Sequence, residues 1–388
     1  MTKINPNILP KEKHIQTEKV QNISQYIKRV NEYIKVRGIK DGTVVYRGEP
    51  DVYPEPCRPN IFRRGVMNGN RFFEKSLFDA MRQNRLTGEV RYLDNAIDAQ
   101  HGEFPSRLLD VSYNCLTALY FAVTPYYHQK EDSMDTKDGM VFLFFVDEIF
   151  SPSAKNTNDN YDAIINRDQE WHQNHILFEK NHKFIDHTKL NSRIIAQQGA
   201  FILFQGDEPE SLPKYMSYGI LIPGEAKAGM RKELRQLFGI HTGSIYPEII
   251  NLVDELSSKS RKLNTEEFSC RNELEYALRQ LDKELDYYFE YIVENSREAG
   301  EEDMTRILMH VEHVIDSYRK GFLEFQENYE RRFKEGEELG GLKKQELNRI
   351  IDKYNGVIRA FADNLKQYDA GEFAGQELQI YIEKAAAG

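Results

Sequence analysis

Residues 96–123 read AIDAQHGEFPSRLLDVSYNCLTALYFAV. Pro105 has no backbone N–H to give, so whatever element precedes it ends there. Arg107 to Val111 is a short run of mostly large apolar residues around one acid, and it reads as a strand. In the stretch that follows, Leu116, Leu119, Ala122 and Val123 fall on one helical face. The segment from Ala118 to Ala122, Ala-Leu-Tyr-Phe-Ala, offers core packing and little else. A strand that feeds directly into an apolar helix is the nucleus of a mixed α+β unit.

Upstream, Ser24 is an N-cap candidate for a helix carrying Ile27, Val30, Tyr33 and Ile34, which Gly38 and Asp41-Gly42 close. Thr43-Val44-Val45-Tyr46-Arg47-Gly48 is β-branched and reads as a strand. A Pro-rich crossing from Pro50 to Pro59 follows. Residues 71–86 then have a helical period through Phe73, Leu77, Ala80 and Met81. Downstream, 129–139 and 151–163 read as polar loops, with the apolar run MVFLFFV (140–146) between them as a buried strand. Arg193 to Phe204 and Tyr218 to Pro223 read as two further strands. Residues 231–255 read as helix, turn, helix. The strands and helices do not alternate regularly, which argues against a doubly wound parallel sheet.

From about residue 258 the chain contains no Pro and steps by three and four. Leu274 to Ile292, Val311 to Phe333 and Leu347 to Leu365 make three amphipathic faces with Gly breaks between them. That pattern predicts an antiparallel helical bundle. The expected organisation is a loose arm over 1–20, an α+β domain over 21–257 and a helical bundle over 258–388. The bundle's aromatic stripe (Tyr287, Tyr288, Phe289, Phe322, Phe325, Tyr329, Phe333) predicts a contact with another chain or with the first domain.

Composition limits the function classes. At 40% apolar and 29% charged residues the chain is neither collagen-like nor wholly disordered. No run of 18 apolar residues occurs and mean hydropathy is −0.65, which excludes a membrane-spanning reading. The first twenty residues lack an apolar core of the signal-peptide kind, so a cytoplasmic location is expected. Cys57, Cys115 and Cys270 are too far apart for a zinc knuckle. A net charge of −10 disfavours a broad duplex nucleic-acid footprint. His172, His175, His182 and His187 sit in an Asn-rich polar segment without a tight acidic pair, and no metal is expected there. His310 and His313 share a helix face. No P-loop, dinucleotide glycine fingerprint or nucleophile elbow is present.

Three segments resemble the FRG domain family, named for a strand motif of aromatic residue, Arg and Gly. They are Tyr46-Arg47-Gly48, then Ala99-Gln100-His101-Gly102 with Pro105 to Asp110, Asn114 and Ala118 to Ala122, and finally Arg193 with Gln197, Gln198, Gly199 and Phe201. The likeness extends over about residues 20–257. Members are soluble microbial and phage proteins. A more distant pattern is similar to ADP-ribosyltransferases: a first-strand Arg, a second strand running into an Ala-Leu-x-Phe-Ala helix, and a third strand that opens with a catalytic residue. That resemblance implies two small packed sheets forming a cleft, with NAD as co-substrate. It places Arg47, His101, Asp110 and Gln198 in catalytic roles, and Tyr46, Arg47, Gly48, Gln100, Ser106, Arg107, Ser112 and Asn114 around the nucleotide. Gln197 or Gln198 stands where those transferases have Glu, so Asp110 and Glu103 are the carboxylates available to take its part.

Two function classes follow. One is an NAD-dependent ADP-ribosyltransferase or NAD glycohydrolase acting as a microbial or phage-encoded toxin or anti-phage effector, its acceptor a protein, a nucleotide or RNA. The other is a non-catalytic sensor that uses the same cleft for a nucleotide or a protein. The helical region would serve an antitoxin, a regulator or a second copy. Plainer roles compete residue by residue: Arg47 as an ion-pair partner, His101 bonded to a carbonyl, Arg107 and Asp110 clamping each other.

Overall fold

The computed structural model describes residues 20–381, apart from 38–42, 64–71, 88–90, 102–103, 168–176, 178–179, 187–191, 207–211, 213–216, 264, 266–268, 296–300, 333–341, 369–372 and 374. The expected arm lies outside the described residues, save for Val20. The chain divides into two compact units, 1–262 and 263–388.

The helices of the first unit are α1 (Ile23–Arg37), α2 (Asn60–Arg63), α3 (Phe73–Gln83), α4 (Tyr92–His101), α5 (Cys115–Val123), α6 (Lys155–Asn166), α7 (Ser192–Gln197), α8 (Lys227–Phe238), α9 (Thr242–Ile245) and α10 (Ile249–Ser260). Its strands are β1 (Thr43–Glu49), β2 (Leu108–Ser112), β3 (Gly139–Val146), β4 (Ile149–Phe150), β5 (Lys183–Ile185), β6 (Gly199–Leu203) and β7 (Ser217–Ile222). The strands form one sheet in the order β4-β5-β6-β2-β1-β3-β7, where two separate sheets were expected. Neighbours run antiparallel except β4 and β5.

The sheet nevertheless has a seam. β1 pairs with β3 along its whole length, and β2 with β6, but β1 meets β2 at a single pair, Tyr46 with Ser112. Alternation along the strands then sorts the side chains. On one face Leu109, Val111, Val45, Phe144, Ala200 and Ile202 belong to one continuous core that crosses the seam and is covered by Cys57, Ile61 and Phe62. On the other face there are two cores. Tyr46, Val141, Leu143 and Phe145 pack under α5, α1 and α8. Leu108, Phe201, Leu203 and Ile185 pack under α3, α4 and α6. The second strand runs between them.

α5 lies directly on β1. A Cβ on Gly48 would stand 1.8 Å from the Ala118 carbonyl oxygen, and one on Gly139 would stand 2.3 Å from that of Ala122. Asn114 caps the helix: its Oδ1 accepts from the N–H groups of Leu116 (2.9 Å) and Thr117 (3.4 Å). Asn114→Ala should therefore cost about 1 kcal/mol of stability, read by urea denaturation.

Three local expectations are corrected. The cap of α1 is Asn22, whose Oδ1 accepts from Gln25 N–H, and not Ser24. Residues 155–166 are a helix and not a loop. Their Asn and Asp content disfavours helix, but Tyr161, Ile164 and Ile165 at helical spacing are buried, and Asn158 donates to the carbonyls of Pro152 and Ala154. The strand expected from Arg193 begins only at Gly199. Residues 192–197 are helical, and Gln198, at φ 48°, turns the chain out of the helix and into β6.

In the second unit α11 (Cys270–Asn295), α12 (Glu301–Arg332) and α13 (Lys344–Gln367) share one core of Leu, Ile, Val and aromatic residues. Most of the aromatic stripe goes into that core or against it. Phe322 and Tyr329 are buried, Tyr288, Phe289 and Phe325 pack on its edge, and Tyr287 is exposed. Phe333 lies outside the described residues. Phe322 and Tyr329 therefore need no partner to cover them, which removes those two rings from the argument for a contact. His310 bonds Tyr288 across α11 and α12 at 3.0 Å. Among the described residues no helix is long and apolar enough to cross a membrane.

Candidate functional site

Asp110 is the one exposed residue of β2; Leu108, Leu109, Val111 and Ser112 are buried. It occupies the gap between the two cores on its face of the sheet. Its carboxyl titrates above the usual aspartate range: the surrounding protein raises it, against the opposing pull of Arg47, its own backbone N–H and Arg193. The side chain is reached by solvent in the space between the two cores, called the hollow below, while the protein around it disfavours its charge. Accessibility decides that a ligand can reach it, and crowding decides how its proton behaves.

Arg47 reaches the seam from the other face. Tyr113 N–H bonds the Gln198 carbonyl, and Phe204 N–H bonds that of Arg107, at the two ends of the β2–β6 ladder. The odd-numbered residues of β2 thus bond toward β6, and the Asp110 carbonyl turns toward β1. Where the two strands part, Arg47 Nη1 takes that carbonyl at 2.7 Å. Its Nε bonds Glu49 Oε1 at 3.1 Å, an oxygen that also accepts from Arg63 Nη2 and Cys57 N–H. Burial disfavours the Arg47 cation, but Glu49, Cys57 and Asp110 more than offset this, so the charge is held at the seam.

A third group closes the hollow from α7. Arg193 lies against the rings of Tyr127 (5.4 Å) and Tyr246 (5.1 Å), donates to Tyr127 Oη at 3.1 Å and pairs with Glu248. Burial pushes the Tyr246 hydroxyl far up; Arg193 lowers it and Asp110 raises it, so these groups share one electrostatic neighbourhood. Tyr127 lies 66 residues and Glu248 55 residues from Arg193. Tyr127 stands in a loop without a motif, whereas Tyr246 and Glu248 belong to LFGIHTGSIYPEI (237–249), a stretch that resembles the end of the family's domain but carries no sign of these contacts.

The remaining expected site residues have internal work. Gly48 is covered by α5 and cannot bring backbone close to a nucleotide. Tyr46 is buried in the α5 core, and burial pushes its hydroxyl up to about 12. Gln100 donates to the Leu108 carbonyl. Ser106 Oγ, fully buried, accepts from Leu108 N–H. Arg107 is 1% exposed and is clamped by Glu74 rather than by Asp110: Nε to Oε2 is 2.7 Å, and Nη1 reaches the carbonyls of Phe204, Gln205 and Gly206. Ser112 Oγ donates to the Gln197 carbonyl at 2.6 Å and accepts from Asn114 N–H. Gln198 is exposed at its turn. His101 is the last residue of α4; its side chain, and all of Glu103, lie outside the described residues. So do His172, His175 and His187. Among the described residues no group of three or more His, Cys, Asp or Glu gathers to hold a metal.

Residues 42–132 match the family model of the FRG domain. The match runs from the start of β1 through α5 and includes Arg47, Asp110 and the α5 cap. No curated protein and no solved structure matches the chain.

Proposed function

We propose that the hollow at the seam is a nucleotide cleft in which the Asp110 carboxylate acts on the N-glycosidic bond of NAD. The observation that carries this reading is an open carboxylate on a central strand, raised in its titration despite the nearby charges of Arg47 and Arg193. Breaking the bond sends its electron pair out with neutral nicotinamide and leaves positive charge on the ribose, where a nearby carboxylate is stabilising. The oxygen of water or of an acceptor then bonds to the ribose carbon, and its proton passes to Asp110. A carboxylate with a raised titration point is the better base for that step. Water as acceptor makes the protein an NAD glycohydrolase; a protein, nucleotide or RNA acceptor makes it an ADP-ribosyltransferase. Either activity in a microbial or infected cell would arrest growth.

The test is nicotinamide release from labelled NAD, by the purified chain alone and with cell lysate. Asp110→Asn should lower release about 100-fold or more. The same substitution should stabilise the fold at neutral pH. A carboxyl raised on folding contributes nothing below its unfolded pKa and destabilises once pH has risen through its folded value. The gain in Tm should therefore vanish on acidification. Undiminished release by Asp110→Asn, or none from the wild-type chain under either condition, refutes the reaction. A sensor without chemistry is the second reading. It is favoured by Arg47 spending two of its nitrogens on Glu49 and the Asp110 carbonyl, and by Gln198 standing where a carboxylate was sought.

A further inference from the structure

We propose that the exposed stripe of α11 around Tyr287 is the face on which two copies of this chain pair, antiparallel about a two-fold axis. Leu278, Leu281, Leu285 and Ile292 fix the buried side of this helix. On the opposite side Tyr276, Lys283, Tyr287 and Glu294 fall within about 40° of one line, with Arg279, Glu290 and Tyr291 beside it. Tyr276 is 54%, Tyr287 61% and Tyr291 42% exposed. Tyr287 and Tyr291 stack at 6.5 Å between centroids, so their rings make one surface. α12 braces one flank of the stripe: Tyr288 bonds His310 at 3.0 Å, and Tyr318 donates to Glu284 at 2.9 Å. The stripe is therefore presented in a fixed direction, which lowers the cost of pairing.

The charges on the stripe say what covers it. Arg279 and Lys283 stand one helical turn apart, and so do Glu290 and Glu294. Like charges at that spacing repel each other along a helix. Among the described residues Arg271 takes up the ion pairs of α11, with Glu275 and Glu346, and Lys283, Glu290 and Glu294 make none. Arg279 lies over the Tyr276 ring at 5.7 Å. A two-fold contact matches residue i with j and j with i. The basic couple and the acidic couple have the same spacing, so one antiparallel register brings Arg279 to Glu294 and Lys283 to Glu290 at once, and symmetry repeats both. The midpoint of that register falls beside Tyr287, whose ring then meets its own copy at the axis. A parallel pairing in register would set base on base and acid on acid. The pattern is its own complement in the antiparallel sense alone, which selects a second copy as the partner. Asp286 lies off this line, about 100° round from Tyr287.

Sedimentation of the full chain over a concentration series tests this. The wild type should pass from monomer to dimer, and added salt should move the midpoint to higher concentration. Lys283→Glu should weaken the dimer about ten- to 100-fold, because symmetry makes one substitution act twice and turns attraction into repulsion. Glu290→Lys should do the same. Neither change harms the helix itself, since each creates an opposite-charge couple one turn away, with Arg279 in the first case and Glu294 in the second. Both variants should therefore melt no lower than the wild type while dimerising less. The two substitutions in one chain should restore the dimer, because the same contact returns with its signs exchanged. A wild-type chain that stays monomeric throughout overturns the pairing. So do single variants that dimerise like the wild type, or a double variant no stronger than the singles.

Discussion

Gly48→Ala should leave the first unit without a stable fold at ordinary temperature. The added Cβ meets the Ala118 carbonyl oxygen at 1.8 Å, the Ala122 amide nitrogen at 2.7 Å and the Ala118 carbonyl carbon at 2.9 Å. All three are backbone atoms of α5, so no side-chain rotation relieves them. The whole helix would have to lift from β1, and with it the core of Tyr46, Leu119, Ala122, Val141 and Leu143. Overpacking of a tight core costs about 1–3 kcal/mol, and more when the obstacle is backbone. That is a large part of the total stability of an ordinary domain. Thermal melting followed by circular dichroism should show a fall in Tm of about ten degrees or an already unfolded first unit. Gly199→Ala is the control. Its Cβ would meet only the Val111 carbonyl oxygen, at 3.9 Å, and it should melt close to the wild type. A wild-type Tm for Gly48→Ala would mean that α5 does not lie on β1 as described.

Arg107→Ala should destabilise the first unit by about 3–5 kcal/mol, because it leaves Glu74 charged and without its partner in the interior. Glu74 is 2% exposed; Oε2 takes Arg107 Nε, and Oε1 takes both the Arg107 backbone N–H and the Tyr161 hydroxyl. Loss of the guanidinium also strips a donor from the carbonyls of residues 204–206, where β6 ends. The double variant Arg107→Met, Glu74→Leu should recover much of the loss, since no unpaired charge remains. Urea denaturation of the two single variants and the double variant gives the coupling between them. Additive losses would show that the pair is not the joint it is described to be.

The clamp on Arg107 illustrates what a linear reading misses. Arg107 and Asp110 are three apart, so in an extended strand they point to opposite faces and cannot hold each other. Glu74 lies 33 residues upstream on α3, where it reads as an ordinary surface acid of an amphipathic helix. The same limit applies at Arg47. Its position at the end of β1 was legible. Its task, replacing a ladder bond to the Asp110 carbonyl, arises only because β1 and β2 part after one pair. Gly48 was legible as a close-approach residue, but what approaches is α5.

The sequence by itself determined the local elements with strong periodicity: β1, β2, α5, the apolar run of β3 and the three long helices of the second unit. Their patterns are set by neighbours along the chain, and side-chain burial at a period of two or 3.6 depends on little else. It also determined that an acid stands mid-strand in β2. Only the tertiary structure decided that this acid is open while its strand-mates are buried. That follows from two separate helix layers failing to meet above β2, a matter of how non-local segments fill space. Tertiary packing also turned the polar stretch 155–166 into a helix, merged two expected sheets into one with a seam, and carried Arg193 to Tyr127 and Tyr246. Each outcome depends on contacts between residues tens of positions apart, whose energies outweigh local propensity and leave no periodic trace in the chain.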